Sequence, residues 1–303
     1  MVIFAAVEAA LRTDQGRVRD HNEDFIASWE PNDPSEESEH GWLYIVADGV
    51  GGAEAGEVAS QFAAEQTIHH YLAGSKESNW GLRLQTAMQT ANSELRQMVT
   101  EQKINGRMAT TMVAAVLHDG GYATLANVGD SRAYLLRNGQ MQQLTKDHSL
   151  VARLVAEGAI TEEEALTHPR RNVILHSLGA ENSPQIDLLE LELETGDQLI
   201  LCSDGLTRHV TDLEIAEIVQ RHDAEAAADQ LIELANARGG EDNISAAILR
   251  LAVSAKRPKR RPTTRVRADR ADEYGRRQLA LYTALLSVLQ TIAIVTLWFV
   301  LRV

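Results

Sequence analysis

The chain has 303 residues, 44% apolar and 24% charged, which suits one large domain or two small ones and excludes a chain that is disordered throughout. Its single cysteine, Cys202, excludes a disulfide framework and a cysteine-rich zinc module. Between Lys256 and Arg277 lie ten basic and three acidic residues, whereas residues 1–255 contain 18 basic and 40 acidic residues, a charge of −22. A region with so much negative charge is poorly suited to binding nucleic acid and well suited to binding cations.

Short apolar runs bounded by turn signals predict nine strands. The first run is predicted to be a strand and not a signal peptide, because no basic segment precedes it and Glu8 interrupts it. The sequence RNGQ at Arg137–Gln140 predicts a hairpin turn. The predicted strands are Val2–Ala10, Phe25–Trp29, Trp42–Ala47, Thr110–Leu117, Tyr122–Val128, Ala133–Leu136, Ile186–Leu193, Gln198–Cys202 and Ile244–Leu251.

Helical periodicity predicts two pairs of helices between the groups of strands. Thr211 and Asp223 are candidate N-caps of the second pair, and the acidic segment Asn32–Glu39 is predicted to be a solvated loop. The predicted helices are Ala55–Leu72, Trp80–Lys103, Asp212–Arg221 and Ala224–Ala237. Strand groups interrupted by helix pairs indicate packed sheets covered by helices, an α+β fold over residues 1–253.

The C-terminal part is predicted to contain a basic flexible linker, residues 254–277, and a transmembrane anchor helix, residues 278–303. Leu279–Leu301 is 23 residues without a charge, about 34 Å of helix. A buried core helix is the alternative, but Gln290 is the only strongly polar side chain in the run. Because the arginine-rich flank is N-terminal to the run, we expect a single-pass membrane protein with its catalytic domain in the cytoplasm.

Four aspartates lie where an apolar strand meets a glycine or a tight turn: Asp48, Asp130, Asp204 and Asp242. The pair Glu23-Asp24 is a fifth such position. One strand-end aspartate is usually a turn former or a helix cap. If all of them converge, their repulsion requires a counter-ion, and oxygen ligands without His or Cys favour Mg²⁺ or Mn²⁺. Two such ions could bind a phosphate and lower the pKa of a bridging water.

At these residues the chain resembles the metal-dependent protein phosphatases of type 2C, including bacterial enzymes that oppose membrane Ser/Thr kinases. Seven motifs occur in the family's order over about residues 8–251. They are RTDQGRVRDHNED (Arg12–Asp24), VADGVGG (Val46–Gly52), NVGDSRAYLLRNG (Asn127–Gly139), LTKDHSLV (Leu144–Val151), HPRRNVILHSLG (His168–Gly179), LCSDGL (Leu201–Leu206) and GGEDNIS (Gly239–Ser245). The resemblance implies a four-layer α/β/β/α sandwich of two antiparallel sheets flanked by helix pairs. It also implies hydrolysis of phosphoserine and phosphothreonine in proteins.

The resemblance further implies two Mn²⁺ or Mg²⁺ ions. Asp48 would bridge them, with the Gly49 carbonyl beside it. Asp204 and Asp242 would complete the first site, and Glu23 would hold the second ion through water.

Other roles follow from the same resemblance. Asp24 would orient water on the metal, and Arg19 would bind the substrate phosphate with its planar donor fork. Hydroxide on the metal would attack phosphorus directly, without a phosphoenzyme. The segment from His148 to about Arg171 matches the mobile flap beside the cleft in bacterial members.

Two positions depart from the family pattern. Val50 stands where some eukaryotic members have a histidine proposed as general acid, so water would have to protonate the leaving oxygen. Arg208 stands where many members have an aspartate for a third metal. Asp130 and Asp204 could still hold a third ion, but the Arg208 cation would oppose it, so we expect that site to be weak or absent.

The sequence leaves three questions open. Cys202 and Arg208 have the C-x5-R spacing of cysteine-dependent phosphatases, whose thiolate attacks phosphorus. A catalytically weak pseudophosphatase, acting as a membrane-tethered binding module, is the second. The third concerns the basic linker, which either only fixes topology or also contacts anionic lipid. The resemblance and the predicted topology together imply a membrane Ser/Thr kinase and its phosphorylated substrates as the natural partners.

Overall fold

Two antiparallel sheets form the centre of the part of the chain that the structure describes. The computed structural model describes residues 6–51, 54–101 and 108–252. The first sheet has the order β1 (Ala6–Asp14), β11 (Ile244–Ala252), β10 (Gln198–Cys202), β7 (Arg132–Arg137), β8 (Gln140–Gln143). The second has the order β2 (Asp24–Trp29), β3 (Trp42–Val50), β5 (Met112–His118), β6 (Tyr122–Val128), β9 (Asp187–Glu192), and β4 (Ala109–Thr110) pairs with the end of β3.

Two pairs of long helices cover the outer faces of the sheets. Helices α2 (Glu54–Ala73) and α3 (Trp80–Glu101) pack on the second sheet, and α7 (Asp212–Arg221) and α8 (Ala224–Ala237) pack on the first. The shorter helices are α1 (Pro34–His40), α4 (Leu150–Ala156), α5 (Glu162–Thr167) and α6 (Asp204–Thr207). The α+β fold with two antiparallel sheets is therefore as predicted.

The core consists of three apolar layers. Tyr44 and Val46 of β3 point into the layer between the sheets, where they join Leu201 of β10. Leu43 and Ile45, the alternate residues of β3, point to the layer under α2 and α3. Because successive side chains of a strand face opposite sides, burial on both faces explains why β3 is a continuous apolar run.

Several predicted elements have the bounds that the sequence indicates. Strand β10 and helices α7 and α8 match residue for residue, and Thr211 caps α7 by accepting from the Glu214 N–H. The β7–β8 hairpin turns at Asn138 (φ 51°) and Gly139 (φ 79°), the left-handed conformations that a tight hairpin needs. Strand β3 continues past its predicted end to Val50. Asp48 consequently lies within a strand.

The prediction of a loop over Asn32–Glu39 is wrong, because α1 occupies Pro34–His40. Asp33 caps this helix by accepting from the N–H groups of Ser35 and Glu36, and Pro34 takes its first turn. These signals at the N-terminus outweigh the lack of an apolar face. None of its residues is buried.

The predicted basic linker and the predicted span Leu279–Leu301 lie outside the described residues, as does the start of the predicted first strand. Among residues 6–51, 54–101 and 108–252, no helix has both the length and the apolar character that a membrane span requires. The anchor therefore stays a prediction.

Candidate active site

Six acidic residues meet at one end of the two sheets. Asp24, the first residue of β2, pairs in register with Asp48 of β3. The Ser203 hydroxyl, which directly precedes α6 beside the first sheet, donates to Asp24 Oδ2 at 2.7 Å. The others lie next to strands that end here: Glu23 before β2, Asp130 after β6, Asp204 after β10 and Asp242 before β11. All six sequence candidates among the carboxylates are thus brought together.

The backbone around Asp48 is held by β4 and the threonines next to it. The Asp48 carbonyl accepts from Thr110 Oγ1 and from the Thr111 N–H, each at 2.9 Å. Gly49 follows, and a Cβ there would stand 2.2 Å from the Gly56 carbonyl oxygen and 2.6 Å from that of Glu23. Only glycine permits this approach, which places Glu23 against the end of β3.

Burial and mutual repulsion make the carboxylates hard to ionise together. Burial raises the pKa of Asp24 to about 7 and that of Asp130 to about 8, and the charge of Asp204 adds to both increases. Burial, followed by the charge of Asp24, raises the pKa of Asp48 well above its usual range. The cleft therefore needs positive charge before Asp24, Asp48 and Asp130 can all be ionised at neutral pH.

Four buried carboxylate oxygens in the cleft have no hydrogen-bond partner: Glu23 Oε1, Asp24 Oδ1, Asp130 Oδ1 and Asp204 Oδ1. Leaving such an oxygen unpaired is costly, and a set of oxygen donors without nitrogen or sulfur is what Mg²⁺ and Mn²⁺ prefer. The donor set therefore fits hard divalent ions.

Arginines lie between these carboxylates. Arg208 donates to Asp204 Oδ2 and, at 3.2 Å, to Asp242 Oδ2, and Arg19 reaches Asp242 Oδ1 at 2.8 Å. In the part of the chain that the structure describes, no three His, Cys, Asp or Glu side chains are drawn together closely enough to enclose an ion. Arg208 therefore bridges Asp204 and Asp242, and Arg19 also pairs with Asp242.

Asn243 is a site residue that the sequence alone did not single out. Its Oδ1 accepts from the Glu23 N–H, and its Nδ2 donates to the carbonyls of Gln15 and His21, all at 2.8 Å. These three bonds hold the loop that carries Arg19 and Glu23. Its position directly after Asp242, in the motif GGEDNIS, was the available signal.

The segment from His148 to Arg171 contains α4 and α5 and is tied at its base to the Asp130 turn. The His148 N–H donates to the Gly129 carbonyl at 2.9 Å, and the Gly129 N–H donates back to His148 Nδ1 at 3.3 Å. Gly129 has φ 101°, the left-handed conformation that this turn requires. The start of this segment is therefore hydrogen-bonded to the residue that directly precedes the candidate ligand Asp130.

Cys202 does not have the surroundings of a nucleophile. Its side chain is fully buried in the layer between the first sheet and the helix pair α7–α8, and burial raises the pKa of the thiol to about 12. Arg208, its partner in the C-x5-R spacing, is paired with Asp204 and Asp242. The structure thus opposes the cysteine mechanism, since a nucleophilic cysteine needs an exposed, acidified thiol.

Comparison with known proteins agrees with this fold. The family model described as protein phosphatase 2C matches residues 17–248. The serine/threonine phosphatase stp of Listeria innocua is 41% identical over 247 residues, which cover 79% of this chain and 94% of that protein.

Solved structures are similar as well. Staphylococcus aureus serine/threonine phosphatase Stp1 superposes with a TM-score of 0.73 at 35% identity, over 84% of this chain and 98% of that one. The catalytic domain of the serine/threonine protein phosphatase PstP, crystallised in complex with two manganese ions, has a TM-score of 0.69 at 35% identity, over 81% and 98%. The chain therefore belongs to the protein phosphatase 2C family and is a protein serine/threonine phosphatase.

Proposed function

We propose that this phosphatase removes phosphate from phosphoserine and phosphothreonine in proteins with two Mn²⁺ or Mg²⁺ ions held in the carboxylate cleft. The convergence of buried carboxylates that carry four unpaired oxygens is the observation that carries the proposal. Such ions lower the pKa of a coordinated water and balance charge on the phosphoryl oxygens. The PstP structure with two manganese ions supports the same number here.

The proposed ligands follow the family pattern. Asp48 lies centrally, since the charges of Asp24, Asp204 and Asp130 all act on it, which suits a bridging ligand. Asp204 and Asp242 are the proposed ligands of the first ion, and the Gly49 carbonyl lies beside Asp48. Glu23 is the proposed ligand of the second ion through water.

Residues of the chain itself bind the substrate and handle water. Arg19, whose side chain is 45% exposed at the rim of the cleft, is proposed to grip the substrate phosphate. Asp24 is fixed through Oδ2 by Ser203, which leaves Oδ1 to orient the attacking water and accept its proton. Val50 has no proton to give, so the leaving oxygen takes its proton from water. A third ion near Asp130 is expected to be weak or absent because Arg208 is adjacent.

We further propose that residues 278–303 anchor the chain in a membrane, that residues 254–277 are a basic flexible linker and that residues 1–253 form the cytoplasmic catalytic domain. The 23 uncharged residues of Leu279–Leu301 and the basic flank on their N-terminal side support this. Tethering would raise the local concentration of membrane-bound substrates. A membrane Ser/Thr kinase is then the proposed opposing enzyme.

Hydrolysis of a phosphothreonine peptide by the full chain in detergent micelles tests the activity. Mn²⁺ or Mg²⁺ should support turnover, excess EDTA should abolish it, and Asp48→Asn should remove it. Asp229→Asn is the matched control, because Asp229 is an exposed carboxylate of α8 that pairs with Arg12 and is not among the proposed ligands. Metal binding without turnover would favour the pseudophosphatase, and turnover that survives EDTA would refute the metal mechanism.

Membrane fractionation tests the anchor. The full chain should sediment with membranes and resist carbonate extraction, whereas a chain that lacks residues 278–303 should be soluble. Release of the full chain by carbonate or salt alone would refute a spanning helix. The phosphatase proposal is unaffected by that outcome, since its residues lie before 253.

A further inference from the structure

We infer that Arg208 is a built-in counter-cation of the cleft, which competes with a divalent ion for Asp204 and Asp242. In the metal-free protein its guanidinium would hold Asp204 and Asp242, two of the three carboxylates proposed for the first ion. Arg208 would thereby set how much free metal the enzyme needs. The inference rests on the proposed metal sites and adds a residue that controls their affinity.

Local structure places Arg208 over Asp204. Asp204 begins α6, Arg208 follows its last residue, and the Arg208 N–H donates to the Asp204 carbonyl at 2.9 Å. Residues four apart on a helix face the same side, so the Arg208 side chain returns to the Asp204 carboxylate. Its position next to the cleft is thus a consequence of the turn that also presents the ligand.

The guanidinium uses oxygen atoms that an ion would need. Arg208 Nη2 bonds Asp204 Oδ2, and Nη1 bonds Asp242 Oδ2 at 3.2 Å. Asp204 then has only Oδ1 unpaired. A guanidinium that donates to these oxygens competes with an ion for their lone pairs and repels it, so each cation weakens the binding of the other. By thermodynamic linkage, a change that stabilises the Arg208 contact weakens metal binding by the same factor.

The two cleft arginines differ in how firmly they are held. Among the described residues, Arg19 pairs with one carboxylate, that of Asp242, and its side chain is 45% exposed. Arg208 pairs with two carboxylates and is 26% exposed. The charge of Asp130 attracts Arg208 as well. Arg208 is therefore the cation whose displacement opposes metal binding most.

Calorimetric titration of Mn²⁺ into the full chain in detergent micelles, after removal of metal with EDTA, measures the competition. Arg208→Gln should lower the dissociation constant for Mn²⁺ about tenfold, which is within the range usual for coupled sites. It should also lower the melting temperature in EDTA, because the carboxylates lose their internal cation. Arg221→Gln, which removes an equal charge from an exposed pair with Glu217, should change neither value.

Arg208→Lys keeps the charge but not the two-pronged fork, so it should tighten Mn²⁺ by about threefold. This variant keeps the comparison available if Arg208→Gln is too unstable to titrate. Equal or weaker Mn²⁺ binding in both variants would overturn the inference and leave the proposed function standing. Absence of Mn²⁺ binding in every protein, wild type included, would overturn the proposed metal sites and this inference with them.

Discussion

Two clusters of arginine and aspartate, one beside strand β7 and one in the cleft, differ in how completely their polar atoms are paired. In the pair Arg132–Asp147, the arginine donates to both carboxylate oxygens, Gln143 adds a bond to Oδ1, and Arg132 Nη1 donates to the Tyr134 hydroxyl. In the cleft, Arg208 bonds one oxygen of Asp204 and leaves the other buried without a partner.

The difference distinguishes a scaffold from a binding site. A charged pair whose two carboxylate oxygens both accept hydrogen bonds has little remaining capacity for a ligand, and its removal acts mainly on the fold. A group of carboxylates that repel one another and retain unpaired oxygens is stable as an ionised set only when cations join it. Similar residues, close together in the fold, therefore serve opposite purposes.

The same substitution, Asp to Asn, made once in each cluster tests this difference most strongly. Asp204→Asn should lower metal-dependent kcat/KM by about a thousandfold, since the Lewis-acid effect is worth several kcal/mol. Its melting temperature in EDTA should change little, because lost repulsion offsets the lost contact with Arg208. Asp147→Asn should keep most of its activity and lose about 2 kcal/mol of stability, less than for a fully buried pair because Arg132 is 28% exposed.

Peptide hydrolysis and urea denaturation in EDTA measure the two effects. If Asp147→Asn lost activity as severely as Asp204→Asn while remaining folded, the division into scaffold and site would be wrong. A large loss of stability in Asp204→Asn without metal would also contradict this division.

The pH dependence of stability sharpens the same contrast. Asp24 and Asp130 have folded-state pKa values of about 7 and about 8 against 3.8 for the free side chain, so folding favours their protonated forms. Their contribution is present below pH about 4 and is lost as the pH rises to about 8. The metal-free protein should lose several kcal/mol over this range, at about 1.4 kcal/mol for each unit of pKa.

Melting temperatures in EDTA at pH 5.5 and 8.5 measure this effect, and the higher pH should give the lower value. Saturating Mn²⁺ should weaken or reverse the trend, because an ion binds the ionised carboxylates. Asp130→Asn should reduce the slope in EDTA. A melting temperature that rises with pH in EDTA would contradict the account of the cleft as a strained cluster of carboxylates.

Asn243 offers a smaller effect. Asn243→Ala removes three hydrogen bonds from the loop that carries Arg19 and Glu23, and such supporting contacts are worth about 10- to 100-fold in metal affinity or activity. Asn243→Asp keeps the acceptor for the Glu23 N–H and loses the donors, so it should fall between wild type and alanine. Steady-state kinetics with the phosphopeptide should show KM raised along with kcat reduced. An effect on stability alone would make Asn243 part of the scaffold.

Sequence predicted best the elements whose limits are set locally. Helix α7 has its own N-cap, Thr211, and β10 is a short apolar run that ends at a serine. The sequence predicts too early an end for β3, because Gly49 is of a residue type that often ends strands. In the fold it continues the ladder by pairing with Thr110 of β4, a contact between distant residues. Helix α1 was missed because it has no apolar stripe.

The site divides in the same way. Asp48, Asp204 and Asp242 were recognisable because each adjoins an apolar strand and a glycine or turn. Their convergence depends on the order β1-β11-β10-β7 of the first sheet and on its packing against the second, which no local pattern encodes. The sequence indicated that Arg208 would oppose a third ion, but its contact with two proposed ligands of the first ion required the turn at α6.

The smallest expected effect concerns Cys202, the residue on which the alternative cysteine mechanism depends. Its thiol lies in the apolar layer on the side of β10 that faces α7 and α8, with its pKa raised by burial to about 12, so it is neutral and inaccessible. Cys202→Ala should leave metal-dependent kcat/KM within about twofold and cost about 1 kcal/mol of stability through lost packing. Phosphopeptide kinetics and urea denaturation measure both. A rate that collapsed in Cys202→Ala while the protein remained folded and bound Mn²⁺ would place the chemistry at the thiol, and the unpaired carboxylates of the cleft would then need another explanation.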